Sequence, residues 1–406
     1  FEPVVKLIAP EGRQLFALGS EYRLGARTQL GAETALSRLD LNRFSPLDSR
    51  DDADVAVFAG IRHVLVPDKK GWQMQLRGNY ERTGTYFTPL NPYRPAEFIR
   101  DWNLGANETK TAEQLARAEL LTQKKGWGSA RYEFGSFTRR GLYDGQRHFA
   151  QTRLSRGGFE FFGEINALHT ASSLDDTRFS RPKFDFSKTL FTRKDSLSRV
   201  PFIKIGVYGE REKNERRSTG NDTLTQASFW YDLGRLIIQM PEGSGPLQLG
   251  ASLTHRSDFA PMGALFRQNT AADEINFNGR WQPAGALPVR SISQSVSWNL
   301  SWRQLRIIEP ELTNQEAQNT YLGRVDYTLS AWKNALNLTT GYEISSGQSP
   351  RLEFSYVKVN PGEGQYTWVD RNRDSILQVD EMEIAVFQDQ ATYVRVAVST
   401  TDYIRT

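Results

Sequence analysis

Trp72, Met74, Leu76, Gly78 and Tyr80 alternate with Gln73, Gln75, Arg77, Asn79 and Glu81, and this period of two recurs along the whole chain. Successive side chains of a strand point to opposite faces, so each run predicts a strand with one apolar and one wet face. In "GFEFFGEINAL", Phe159, Phe161, Gly163, Ile165 and Ala167 stand against Glu160, Glu164 and Asn166. In "EINFNGRWQ", Ile275, Phe277, Gly279 and Trp281 stand against Asn276, Asn278 and Arg280. Later runs align Val296, Trp298, Leu300 and Trp302, then Tyr321, Val325, Tyr327 and Leu329, then Leu336, Leu338 and Tyr342. Turn-forming stretches such as "PDKKG", "STGND" and "EGSGP" separate the runs. The pattern predicts an all-β fold of about 16–20 strands in antiparallel meander order. Long connections are expected at 44–54 and 170–183, with tight turns elsewhere. One short helix within a loop is expected at 107–126, "NETKTAEQLARAELLTQKKG". Leu115, Ala118 and Leu121 fall there at helical spacing and Asn107 is placed to cap, although Ala116, Ala118 and Leu120 also alternate.

An apolar strand face needs lipid, a second sheet or the inside of a closed barrel to cover it. Many of these runs reach nine residues or more, the length a tilted membrane strand requires. Trp72, Tyr80, Trp281, Trp302 and Tyr342 lie near run ends, where interfacial girdles would place them. No stretch approaches the roughly 18 apolar residues of a membrane helix, and mean hydropathy is −0.55. That low average does not exclude a transmembrane barrel, whose strands alternate lipid-facing and water-facing residues. Two readings follow: a large transmembrane β-barrel over 1–406, or a soluble β-rich adhesion or scaffold module of the cell surface. "FEPVVKLIAP" carries no targeting signal, and "TTDYIRT" lacks a terminal aromatic, so the chain is expected to be a fragment of a longer one.

Little in the sequence points to catalysis. Cysteine is absent, so there is no thiolate zinc site. His63, His148, His169 and His255 show no ligand spacing, and no P-loop, GxSxG or HExxH motif occurs. No enzyme is expected. Net charge is +4 from 51 basic and 47 acidic residues, well mixed. The run "EREKNERR" (210–217) reads as a solvated loop without aromatic interleaving, so no nucleic-acid partner is expected.

"DRNRDSILQVDE" differs from these. Calcium loops of the EF-hand type take ligands from positions 1, 3, 5, 7, 9 and 12. Those positions are Asp370, Asn372, Asp374, the Ile376 carbonyl, Gln378 (through water) and Glu381. Ser375 stands where a glycine normally makes the sharp turn. Strand-like "GQYTWV" precedes the loop and "IAVFQDQATYVRVAV" follows it, so a structural Ca2+ between strands is expected at 366–384 rather than a helix-pair sensor.

The tail "GQYTWVDRNRDSILQVDEMEIAVFQDQATYVRV" resembles a segment of very large outer-membrane β-barrel proteins of the Bacteroidetes. "PLNPYRPAEFIRDWNL" (89–104) resembles the same group, and the barrel of the type 9 secretion translocon is similar in style. The matching motifs cover about a sixth of the chain, and most of these proteins are uncharacterised. The resemblance implies architecture and location: the outer membrane or cell surface of a Gram-negative bacterium. A role in transport, secretion or surface display is the corresponding expectation. The implied partners are outer-membrane lipid and other envelope proteins acting as plug or complex partners. No catalytic residue carries over.

Overall fold

The computed structural model describes residues 10–45, 49–91, 93–95, 97–104, 110–173, 175–195, 198–240, 245–283, 292–332, 334–346, 348–360, 362–369, 371, 378 and 381–405. The chain divides into two compact units, one spanning Ala9–Ile344 and one built on Ser345–Thr406. The fold is all-β, 71% strand and 3% helix.

The larger unit is a sixteen-stranded antiparallel sheet in which every strand pairs with its sequence neighbours. Its first half comprises β1 (Gly12–Leu24), β2 (Thr28–Asp40), β3 (Ala53–Lys69), β4 (Trp72–Thr83), β5 (Glu113–Lys124), β6 (Gly128–Arg139), β7 (Tyr143–Arg156) and β8 (Phe159–Ser172). The second half comprises β9 (Asp175–Asp195), β10 (Ser198–Ser218), β11 (Phe229–Gln239), β12 (Leu247–Met262), β13 (Leu265–Trp281), β14 (Ser293–Ile307), β15 (Gln318–Ala331) and β16 (Leu336–Ser346). The meander is as the alternation predicts. The sheet is open, with β1 at one edge and β16 at the other.

Its two faces are inverted relative to a water-soluble sheet. Ile165 is 44% exposed, whereas Asn166 beside it is 1% exposed. Leu253 is 51% exposed and Thr254 is 6%. Trp72, Leu76 and Tyr80 stand out on β4 while Gln75 is buried. The same inversion holds across the ladder, because the registers keep apolar positions on one side from strand to strand, as in the pairs Leu253 with Ile275 and Phe277 with Leu300. Gly279 belongs to this side because the ring of Trp298 occupies the place where a Cβ would stand.

Three expectations are corrected. Residues 113–124 are not helical but form β5, paired along its length with β4 and β6. Gln114, Ala116, Ala118 and Leu120 are exposed while Leu115 is buried, so period two prevails over helix-forming composition. The run 210–217 is no loop but the end of β10. The stretch 170–183 is no long loop either, since β8 ends at Ser172 and β9 begins at Asp175. The Asp175 amide donates to Ser172 Oγ at 3.0 Å, and Arg216 Nε donates to Asp175 Oδ2 at 2.6 Å, closing a tight turn.

The long connections 41–52, 84–112, 219–228 and 308–317 share one end of the sheet, the loop end. Tight turns at 25–27, 70–71, 125–127 and 157–158 share the other, the turn end, although 240–246 and 282–292 are longer there. In the smaller unit the order is β17 (Gln348–Lys358), β20 (Tyr393–Arg405), β18 (Tyr366–Trp368) and β19 (Met382–Ile384). The single strand expected after the calcium-like loop is broken into β19, a 3-10 turn at Gln388–Gln390 and β20. Gly364 donates to the Ala391 carbonyl at 3.0 Å, and a Cβ there would collide with that carbonyl and the Tyr393 amide.

Candidate functional site

The polar face of the large sheet carries a lattice of ion pairs between neighbouring strands. Glu119 on β5 lies 3.5 Å from Arg77 on β4 and 3.1 Å from Arg131 on β6. Glu164 on β8 lies 2.7 Å from Lys183 on β9 and accepts from Gln151 on β7 at 2.8 Å. Alternating signs on adjacent strands let a buried charge find its partner across the ladder, which is what makes burial tolerable.

The connection after β4 is laid across this face. Its tethers begin at β3 and β2, where the Tyr86 amide donates to Asp54 Oδ2 at 2.9 Å and the Thr88 amide to Ser37 Oγ at 2.9 Å. Arg94 then sits between Glu81 at 2.8 Å and Glu113 at 2.9 Å, and Arg139 holds the second oxygen of Glu113 at 2.9 Å. The Arg94 guanidinium also stacks 4.1 Å from the ring of Phe98, a cation–π contact strengthened by its desolvated setting.

A single helical turn, α1 (Phe98–Asp101), follows. Pro95 opens it by accepting from the Phe98 amide at 3.0 Å. The turn points Phe98 and Trp102 into a cluster with Leu115, Phe137, Leu168 and Phe179, drawn from β5, β6, β8 and β9. Phe98 meets Phe137 edge-on at 5.3 Å between centroids, and Trp102 lies 5.3 Å from the same ring. Tyr143 on β7 donates to the Trp102 carbonyl. Beyond the turn, Asn103 donates to Asn214 on β10 at 3.2 Å and Arg100 approaches Glu212 on β10 at 3.7 Å. One segment thus bonds strands from β2 to β10 from the side of the polar face.

Asp101 contacts Arg147 at 2.9 Å. Burial nonetheless raises its carboxyl above the ordinary range, outweighing the lowering by Arg147 and Arg100. Burial likewise raises the Tyr93 phenol, against the pull of Arg94. The sequence singled out 89–104 only through resemblance. Its partners Glu81, Glu113 and Glu212 lie on other strands, and nothing local to the segment names them.

Of the expected calcium ligands, Asp370, Asn372, Asp374 and Ile376 lie outside the described residues. Gln378 and Glu381 are described, and the Gln378 carbonyl accepts from the Glu381 amide at 3.2 Å. The Glu381 side chain is buried, 3% exposed. It accepts from the Trp368 indole at 2.9 Å and from the Arg371 amide at 3.1 Å, so it folds back under the start of the loop. Among the described residues, no three His, Cys, Asp or Glu side chains converge in metal-binding geometry.

The four histidines each engage a partner of their own. His63 bonds Thr28 at 2.8 Å, His148 bonds Tyr132 at 2.8 Å, His169 lies 3.3 Å from the Thr177 carbonyl, and His255 bonds Asp273 at 2.6 Å. No family model matches this chain, and no curated protein matches it.

Proposed function

We propose that this chain forms the wall of an outer-membrane β-barrel, with passage along its polar face closed by its own 84–104 segment. The observation that carries the reading is the inversion of the two faces, apolar side chains outward and hydrogen-bonded polar side chains buried. Water gives no reason for that arrangement, whereas lipid does. The large sheet's strands of 11 to 21 residues meet or exceed the roughly 9–11 that a tilted membrane strand needs. No helix among the described residues is long and apolar enough to cross a membrane. In a bilayer the outer edges of β1 and β16 require partners, so the reading demands that they be joined, to each other or to further strands.

The role that fits is transport, secretion or surface display through a passage opened when cargo or an envelope partner displaces the segment. Detergent dependence tests the membrane assignment. The purified chain is expected to be monodisperse in detergent micelles and to aggregate when detergent is withdrawn. A monodisperse chain in detergent-free buffer would return it to the class of soluble cell-surface modules.

We further propose that the 366–384 loop holds Ca2+ as a stiffener of the smaller unit. The support is the ligand spacing together with the buried carboxylate of Glu381. Binding to the folded state alone would stabilise it by about 2.7 kcal/mol at a hundredfold excess over the dissociation constant. Chelation is expected to expose the 366–390 region to protease first, with the sixteen strands still protected, and Glu381→Gln should reproduce that pattern in the presence of calcium. An identical digest with and without chelator would reduce the motif to a turn.

A further inference from the structure

Lys-Lys-Gly-Trp occurs twice, at 69–72 and 124–127, and both copies fall at the turn end of the sheet. Lys70 and Gly71 have φ of 53° and 77°, the left-handed pair that a two-residue hairpin turn requires. Neighbouring turns are stitched together. The backbone amide of Lys125 donates to the Gly71 carbonyl at 2.8 Å, that of Ser155 to the Trp127 carbonyl at 2.8 Å, and that of Thr189 to the Gly158 carbonyl at 2.9 Å.

The result is one outward-facing stripe of cations seated on rings. Lys124 Nζ lies 4.8 Å from the Trp72 ring and 4.5 Å from that of Trp127. Arg156 lies 4.1 Å from Trp127 on the other side, and Lys188 lies 3.4 Å from Phe159. Lys70 and Lys125 stand exposed in the turns themselves.

Several outward-facing cations at the loop end, by contrast, carry carboxylate partners. At the loop end, outward-facing Arg211 pairs with Asp232, Lys213 and Arg217 with Glu215, and Arg306 with Asp273. Among the described residues, Lys70, Lys124, Lys125, Arg156 and Lys188 make no ion pair. Glu160, next to Phe159, is turned to the polar face and held there by Lys204 at 2.6 Å. Asp68, at the end of β3, pairs with none of them.

Resting on the membrane reading above, we infer that this stripe binds the phosphate headgroups of anionic glycerophospholipids. Tight turns of such barrels face the inner side of the outer membrane. Indole rings settle at headgroup depth, and a cation lying on a ring keeps its remaining N–H groups for an anion. Each basic residue near an anionic surface contributes about fivefold in affinity. The apolar band directly beyond the stripe fixes the depth, so the anion presented to it is the headgroup of a lipid rather than a soluble phosphate.

The test uses the full chain in nanodiscs of phosphatidylcholine with a minority of phosphatidylglycerol, and native mass spectrometry of the lipids retained on release. The chain is expected to retain phosphatidylglycerol at least about fivefold above its bulk share. K70Q/K124Q/K125Q/R156Q should return retention to the bulk ratio while still inserting, and R211Q/R306Q at the loop end should leave it enriched. Inorganic phosphate should not displace the lipid. Insertion without enrichment, equal retention by the quadruple variant, or displacement by phosphate would overturn the inference alone. Failure to enter phosphatidylcholine discs would overturn the membrane reading and this inference with it.

Discussion

Phe98→Ala with Trp102→Ala is expected to free the segment that lies across the polar face and to turn the proposed barrel from silent to conducting. Both rings are buried, at 5% and 2% exposure, against Phe137 and Leu168. Truncating a buried Phe or Trp costs about 3–5 kcal/mol each. The remaining anchors are polar and reach water once the cluster is lost, so they cannot hold the segment alone. Arg94 is the sensitive one among them: removing it takes the cation from Glu81 and leaves Glu113 with Arg139 alone, a loss of up to about 3–5 kcal/mol. In planar bilayers the parent chain should show little current and the double variant discrete openings. Trypsin should cut at Arg100 in the variant and spare it in the parent. Low current from a variant whose segment is cleaved would show that the segment does not close a passage.

Phe277→Arg should cost about 2–4 kcal/mol in lipid vesicles if β13 crosses near the bilayer midplane. The side chain is already 41% exposed, so in water the same change would fall within about 0.5 kcal/mol of neutral. Asn278→Arg is the internal control, one residue along and on the opposite, wet face, and it should be tolerated in either setting. Urea titration of vesicle-bound protein separates the two. Equal midpoints for both variants would show that the apolar face meets water rather than lipid.

The alternation of Trp72 to Tyr80 or of Ile275 to Trp281 was legible because polar and apolar faces differ. Where both faces are polar the period vanishes, and there the sequence misleads. Arg211, Lys213 and Glu215 on one face and Glu210, Glu212 and Asn214 on the other read as a charged loop, yet they extend β10 past its apolar stretch. Asp175, Asp176 and Arg178 extend β9 in the same way. At 113–124 the difficulty was different: Ala116, Ala118, Leu120 and Leu121 suit either period, and pairing with β4 and β6 decides between them. The polar-face segment was the least legible element. Arg94 and Trp102 acquire meaning only from glutamates and rings that the registers bring beneath them.

Those registers also impose an order of assembly. Every ladder in the large sheet joins consecutive strands, so each hairpin can close over its own connection as it emerges, 84–112 being the longest. The 84–104 segment is an exception: Asn103 and Asn214 are 111 positions apart. It cannot find its far anchor until six further strands have been laid down. Through that interval the rings of Phe98 and Trp102 have only part of their cluster. Its docking therefore reports that the sheet has reached β10, a slow contact of high contact order in a molecule otherwise built from local steps.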